Sequence, residues 1–478
     1  MHGVITTEKT LRFSLAPKKA EMFFLLRLAF PLMFSGFVGN GIGFFSTYFS
    51  AHLGVAELAA STLSMWIYSA IMMVIWGTIC SVSIVVAQKH GAKDKDGIAL
   101  TLSSGLFLAF MCSIVGFAVV WNMAYILFLS GQPKEVVTLS NTYFHAFAWG
   151  LFPDFVGLVL IQFLMGLGHT KTNMIFTFIW APMTIVFNWL LVYGEYGFFK
   201  LGIAGIGWGT TLAYWITTSG LILYMLASAQ YRPYLNKMVF LKSPTLVKDL
   251  FVIGLPIGVM YCSELFGYLG LTLLMGYLGN DLLISNQVVL QFINQTMPII
   301  FSIGQAVSIR VGHKIGANQQ HEITKIVYIG LAISFFSMIV VTQAYYFFSD
   351  ELVSFDFEGN SKDALVVMIL AKPLFVMGAV FQIIESIRLV LYSALRSFKD
   401  TFFTMVISLS CFWGVGLPIS YLFGIYIKTS GQGLWMGLII GAGLNTAFLF
   451  WRFCFLTRLK NDQGMPDCLD LRKSLLCP

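Results

Sequence analysis

An all-α integral membrane protein, with twelve transmembrane helices in two homologous halves of six that together make a duplicated, transporter-like bundle, is the fold class this sequence predicts. Three observations carry it. The 478 residues are 58% hydrophobic and only 11% charged, against roughly 25% charged residues in a soluble domain. Apolar runs follow one another along the whole chain, each near the about 20 residues that cross a bilayer. The second half of the chain also repeats the pattern of the first.

The runs are separated by short polar breaks near His52, Lys93, Lys134, Lys171, Lys200, Lys237, Asp281, Lys314, Glu358, Lys399 and Lys428. Segments apolar on all sides are spanning helices, because backbone groups in lipid must pair within the segment. No long polar region occurs, which excludes a single anchor carrying a large soluble domain. The polar opening TTEKTLRFSLAPKKA is followed by an apolar run too long for a leader's core, so no cleaved leader is expected. The seven cysteines form no C-x-x-C pair. Neither a disulfide framework nor a metal site is expected.

Lys and Arg set the orientation. They gather before the first run and in alternate breaks after it, around Lys93, Lys171, Lys237, Lys314 and Lys399 and after the last run. Lys134, Lys200, Lys362 and Lys428 mark the opposite side. Both termini are therefore expected in the cytoplasm, and the acidic loop SDELVSFDFEGNSKD outside. The net charge of +7 follows from this topology, and no nucleic-acid partner is expected.

The repeat is read from matched motifs. RLAFPLMFSG around Pro31 matches VIGLPIGVMY around Pro256, and AQKHGA ending at Ala92 matches VGHKIGA ending at Ala317. LMGLGHTK at Thr170 matches LRSFKDT at Thr401. The expected divisions are a cytoplasmic tail at 1–21, a first bundle at 22–228 and a basic linker at 229–246. A second bundle at 247–458 and a cytoplasmic tail at 459–478 follow. An even number of spans per half gives the halves the same orientation, as in transporters related by an axis along the membrane normal.

Several charges lie inside the runs. Glu264 is the one charge between Leu250 and Asn280, where an ionised carboxylate costs at least about 2.5 kcal/mol. Either it loads and unloads a cation, as antiport requires, or it stays protonated and bonds a neighbouring helix. Glu385 and Arg388, three residues apart, share a helix face with Gln382. They make a structural ion pair, or a pair that Arg388 releases when a cation arrives. Asp154 follows Pro153 and aligns with Glu385 in the repeat. It reads as a helix-start carboxylate favoured by the dipole, or as a first-half contributor to the cleft. Gln287 in ISNQVV is a cleft candidate or a packing contact.

The motifs LAFPLMFSG, HLGVAELAASTLS, VVAQKHGA, FLMGLGHTKTNM, LGIAGIGWGTTLAYWI, GLPIGVMYCSE, ISNQVV, AVSIRVGHKIGA and ALRSFKDTF, in that order, resemble the multidrug and toxic compound extrusion (MATE) transporters, in particular the NorM-type branch. The resemblance implies two homologous six-helix bundles around a central cleft, and export of organic cations and other amphiphiles against inward Na+ or H+ flow, without a cofactor and without enzymatic chemistry. It places Glu264 and Glu385 on acidic coupling positions of the seventh and tenth helices, and Asn188 and Thr210 on polar positions near a first-half cation site. The sequence departs from the family pattern at Ser46, where many bacterial members carry Asp, and at Arg388, where a neutral residue is usual. Coupling is therefore expected in the second half. The expected setting is a monomer in the bacterial inner membrane, with small-molecule substrates. A lipid-linked precursor flippase is the nearest alternative function, and a membrane transferase a more distant one.

Overall fold

The computed structural model describes residues 3–237, 243–348, 351–353 and 362–462, with side chains described from residue 19 to residue 458 within those ranges except 362–365. Most of SDELVSFDFEGNSKD, residues 238–242 of the expected linker and residues 463–478 of the expected C-terminal tail lie outside the described residues. Among the described residues every regular element is a helix: α1 Gly3–Leu53, α2 Val55–Gly91, α3 Lys95–Trp121, α4 Met123–Leu129, α5 Lys134–Ala148, α6 Leu151–Gly166, α7 Thr170–Tyr193, α8 Ile203–Ala227, α9 Arg232–Leu235, α10 Pro244–Leu278, α11 Asn280–Gly316, α12 Ile323–Phe347, α13 Lys362–Ser397, α14 Thr401–Leu409, α15 Leu417–Tyr421 and α16 Ser430–Asp462. Between α14 and α15 the chain continues as a π-helical stretch, Ser410–Gly416.

Among the described residues ten stretches are long and apolar enough to cross a membrane, and α5 with α6, bent by 51° at their junction, counts as an eleventh. The twelfth expected span falls on α11. It has the length, 37 residues, but Asn286, Gln287, Gln291, Asn294, Gln295 and Gln305 make it the most polar of the set.

The repeat recurs in the backbone. Positive φ angles occur at Gly54 and Gly279, at Lys93 and Asn318, at Gly168 and Lys399, and at Gly197 and Lys428, each pair at matching places in the two halves. Lys93, Asn318, Lys399 and Lys428 carry side chains, so each accepts a conformation that costs a non-glycine residue roughly 1 kcal/mol or more. The contact closing the turn is repeated as well. Lys89 Nζ reaches Asp94 Oδ2 at 3.1 Å in one half, and Lys314 Nζ reaches Gln319 Oε1 at 2.8 Å in the other. Asp94 also caps α3 by accepting the Gly97 N–H. That bond, then Lys89, holds its carboxyl below the usual carboxylate range.

The chain forms two compact units. One comprises residues 34–262; the other comprises residues 1–33 and 263–478. The boundaries fall inside α1 and inside α10. In the 34–262 unit, α2 is buried without a break from Gly77 to Ala87, as expected of a helix surrounded by others. Pro256 lies in the interior of α10. On either side of it, Gly254 and Gly258 have no room for a Cβ, which would overlap the backbone of Thr78 and Val74. Small residues spaced by four let membrane helices approach this closely. Gly258→Ala is expected to destabilise the protein by about 1–3 kcal/mol through overpacking. A lower thermal transition of the purified variant would record it, and an unchanged one would mean that the two helices separate freely.

The bend between α5 and α6 has a local cause. Pro153 has no N–H, so the Trp149 carbonyl four residues earlier is released from the helical ladder. It accepts Trp215 Nε1 from α8 at 3.2 Å. Thr211 Oγ1 donates to the Ala146 carbonyl at 2.9 Å, and Thr218 Oγ1 to the Pro153 carbonyl at 2.8 Å. Gly150 and Gly157 give α8 the space to lie this close.

The other unit packs on an apolar cluster including Leu271, Met275, Val289, Ile293, Phe375, Phe381 and Trp435, drawn from α10, α11, α13 and α16.

Candidate coupling site

Glu264 lies eight residues beyond Pro256 on α10; Glu385 and Arg388 lie one turn apart on α13. All three belong to one unit. Arg388 is fully buried, with Glu385 only 3% and Glu264 12% exposed. Arg388 grips Glu385 with two parallel bonds, Nε to Oε2 at 2.8 Å and Nη2 to Oε1 at 2.5 Å. Its remaining nitrogen, Nη1, stands 2.7 Å from Glu264 Oε1. One guanidinium thus serves two carboxylates on two helices. With both carboxylates ionised, the triad keeps one uncompensated negative charge.

A planar fork of five N–H donors makes this sharing possible; a lysine ammonium could not hold two carboxylates in the same fixed geometry. The guanidinium also lies 5.5 Å from the centroid of the Phe412 ring, in the π-helical stretch. One helical turn from the carboxylates along each helix, Tyr268 meets Phe381 edge-on at 6.2 Å, and Phe381 meets Trp435 at 5.7 Å. Trp435 Nε1 donates to Asn286 Oδ1 at 3.1 Å.

Gln382, on the same helix as the pair, is occupied elsewhere. Its Nε2 donates to the Ile293 carbonyl at 3.2 Å and to Thr296 Oγ1 at 2.5 Å. Thr296 is in turn bonded to the Tyr345 hydroxyl at 2.9 Å. Gln382 Oε1 has no partner among the described residues. Gln287 is exposed on its unit, whereas its neighbour Asn286 is fully buried, with Nδ2 unpartnered.

In the other unit, Asn188 and Thr210 are brought together: Thr210 Oγ1 lies 3.4 Å from Asn188 Oδ1 and donates to the Ile206 carbonyl at 2.8 Å. Both groups are neutral. Ser46 is buried, and its carbonyl accepts the Ser50 hydroxyl. Asp154 is the fourth residue of α6, whose N-cap is Gly150 with no side-chain bond. It is therefore not the capping residue.

Two half-repeats of membrane-crossing helices, one holding a charged triad within its spans, define a secondary-transporter class. The chain belongs to the MatE family, whose model matches residues 31–190 and 256–422, one stretch in each half. It is 29% identical over 446 residues to a probable multidrug resistance protein NorM of Oceanobacillus iheyensis, spanning 92% of this chain and 97% of that one. It is 30% identical to a probable NorM of Synechocystis, over 94% and 96% of the two chains. It is 29% identical to the multidrug resistance protein PmpM of Pseudomonas aeruginosa, over 88% and 89%. Among solved structures it superposes on the eukaryotic MATE transporter AtDTX14 with a TM-score of 0.79 at 21% identity, covering 91% of this chain and 96% of that one. With an outward-facing multidrug resistance MATE family transporter the TM-score is 0.84 at 17% identity, covering 93% and 97%.

Proposed function

We propose that this chain is a secondary active antiporter of multidrug-efflux type. It exports small amphiphilic or cationic organic compounds by alternating access, in exchange for inward H+ or Na+, and Glu264, Glu385 and Arg388 form the coupling site. One observation carries the assignment of the site: a single buried guanidinium shared by two carboxylates, with one negative charge left over. In a low-dielectric interior an uncompensated charge is costly. An incoming cation removes that cost, and its departure restores it. Occupancy of the site is in this way tied to the energy of the surrounding helices, and one exchangeable charge is expected per cycle. A proton is the smaller demand on the site, since it needs only a free carboxylate oxygen. Sodium would need further oxygen ligands beside the carboxylates.

A lipid-linked precursor flippase would call for a cationic cavity to receive a phosphorylated headgroup; the net charge of this triad has the opposite sign. We place the chain in the bacterial inner membrane as a monomer, with both termini in the cytoplasm. The first bundle spans residues 22–228, the linker 229–246 and the second bundle 247–458.

Reconstitution in vesicles with a proton gradient or a sodium gradient imposed separately tests the function. Efflux of a fluorescent organic cation should follow one of the two gradients; efflux indifferent to both would refute antiport. Orientation is tested by single cysteines. A membrane-impermeant thiol reagent added outside should label a cysteine at Lys428 but not one at Lys93 or Lys237. External labelling at Lys237 would invert the topology.

A further inference from the structure

Asp154 sits in the unit that lacks the triad. Its carboxylate makes no hydrogen bond and no ion pair with any described residue, in contrast to those of Glu264 and Glu385, which Arg388 holds. Its level in the fold is fixed by the bonds between α5–α6 and α8. Gly150 lies against Thr211 and Gly157 against Thr218, which brings Asp154, between them, level with Tyr214 and Trp215.

An aromatic group surrounds that level. Tyr68 of α2 meets Phe147 of α5 edge-on, with centroids 4.6 Å apart. Phe147 meets Tyr214 of α8 at 6.4 Å, and Trp180 of α7 stacks on Tyr214 at 5.5 Å with the planes 19° apart. Tyr68 and Tyr214 both lie within electrostatic reach of the Asp154 carboxylate. The hydroxyls of Tyr68 and Tyr214 make no described hydrogen bond, and Trp180 Nε1 is buried without one. Asp154, Tyr68, Tyr214 and Trp180 are all partly accessible, so the group is not sealed. A core built only for packing satisfies its buried polar groups. Here the buried indole N–H of Trp180 has no partner, the partly accessible Asp154 carboxylate and the phenols of Tyr68 and Tyr214 lie beside it without a described bond, and no described Lys or Arg pairs with the acid.

We propose that Asp154 with the rings of Tyr68, Phe147, Trp180 and Tyr214 forms a binding site for a quaternary or aromatic organic cation. The carboxylate supplies the charge. The ring faces supply the attraction that aromatic residues exert on a desolvated cation, and they exclude water from it. The two groups act together on a ligand that is both cationic and apolar, and neither would retain a neutral lipid-like molecule by the same means. The proposal rests on the reading of the chain as an exporter of cationic amphiphiles and names where the first unit holds one. It gives Asp154 a substrate role, separate from cation coupling at the triad.

The test is equilibrium binding of tetraphenylphosphonium to the purified full-length protein, with no gradient present, so the outcome does not depend on which residues couple ion flow. Asp154→Asn should weaken binding about tenfold or more, equivalent to about 1.4 kcal/mol. Asp154→Glu, which keeps the charge, should recover part of the loss, a recovery that a purely structural role for the carboxylate would not produce. Tyr214→Leu, which removes a ring and leaves the acid, should also weaken binding, and it keeps the test open should Asp154→Asn fail to fold. Wild-type affinity for tetraphenylphosphonium in both Asp154→Asn and Tyr214→Leu would overturn the proposal, as would absence of binding to the unaltered protein.

Discussion

Glu264→Gln is expected to reduce gradient-driven efflux to background while folded protein remains in the membrane. The variant keeps the shape of the side chain and removes its charge, so Arg388 and Glu385 become a closed neutral pair. Nothing is then left at the site for an incoming cation to neutralise. Glu385→Gln should give the same loss, because the same guanidinium would turn wholly to Glu264. The two carboxylates act as one unit, and residues that act as a unit lose their effects non-additively. The double variant should therefore show efflux little worse than either single one. Undiminished efflux by Glu264→Gln in both a proton and a sodium gradient would remove the triad from the coupling mechanism. Loss in Asp154→Asn together with normal coupling in Glu385→Gln would move it to the other unit.

Arg388→Met should be the most destabilising of the substitutions considered. It roughly preserves apolar volume but leaves two like-charged carboxylates facing one another in a buried place. Removing one partner of a buried charged set costs roughly 3–5 kcal/mol. The purified variant should melt well below the parent protein, or fail to accumulate. The physical cause makes a sharper forecast: adding Glu385→Gln to Arg388→Met should recover much of the lost stability, because it removes one of the two stranded charges. Coupled transport should not return with it. A double variant as unstable as the sum of its parts would show that Arg388 matters through packing against Phe412 and not through charge.

The spans, their order and the duplication were legible because each is written locally or by simple comparison of the halves. Lys93 and Asn318 share a turn, and the motifs around them are recognisable by eye. Glu264, Glu385 and Arg388 were each visible as charges within apolar runs, and the pair on α13 follows from helical spacing. What could not be read was that Arg388 also reaches Glu264, a contact between residues 124 positions apart in one chain. Periodicity says nothing about which faces of α10 and α13 meet. Nor does the motif ISNQVV say that Asn286 is buried and bonded to Trp435 while Gln287 is exposed on its unit. Asp154 is a third case. Pro153 beside it suggests a helix start, and the carboxylate does lie in the first turn of α6; the tyrosines within its electrostatic reach come from α2 and α8, which sequence gives no reason to assemble beside it.

The boundary inside α10 bears on how the protein is made. The unit of residues 34–262 is not complete when the sixth span, α8, leaves the ribosome at Ala227, α5 and α6 counting as one span. It still lacks residues 244–262, whose glycines fill the space against Val74 and Thr78. Insertion of the first half must therefore proceed with one groove on α2 open, and it closes only after the following helix has been synthesised. The gene duplication that gave the chain its two halves divides it at one point; biogenesis divides it at another, part-way along a helix. A chain cut in the linker between the halves should accordingly yield an N-terminal fragment that is degraded when made alone and persists when the C-terminal fragment, beginning before Pro244, is made beside it.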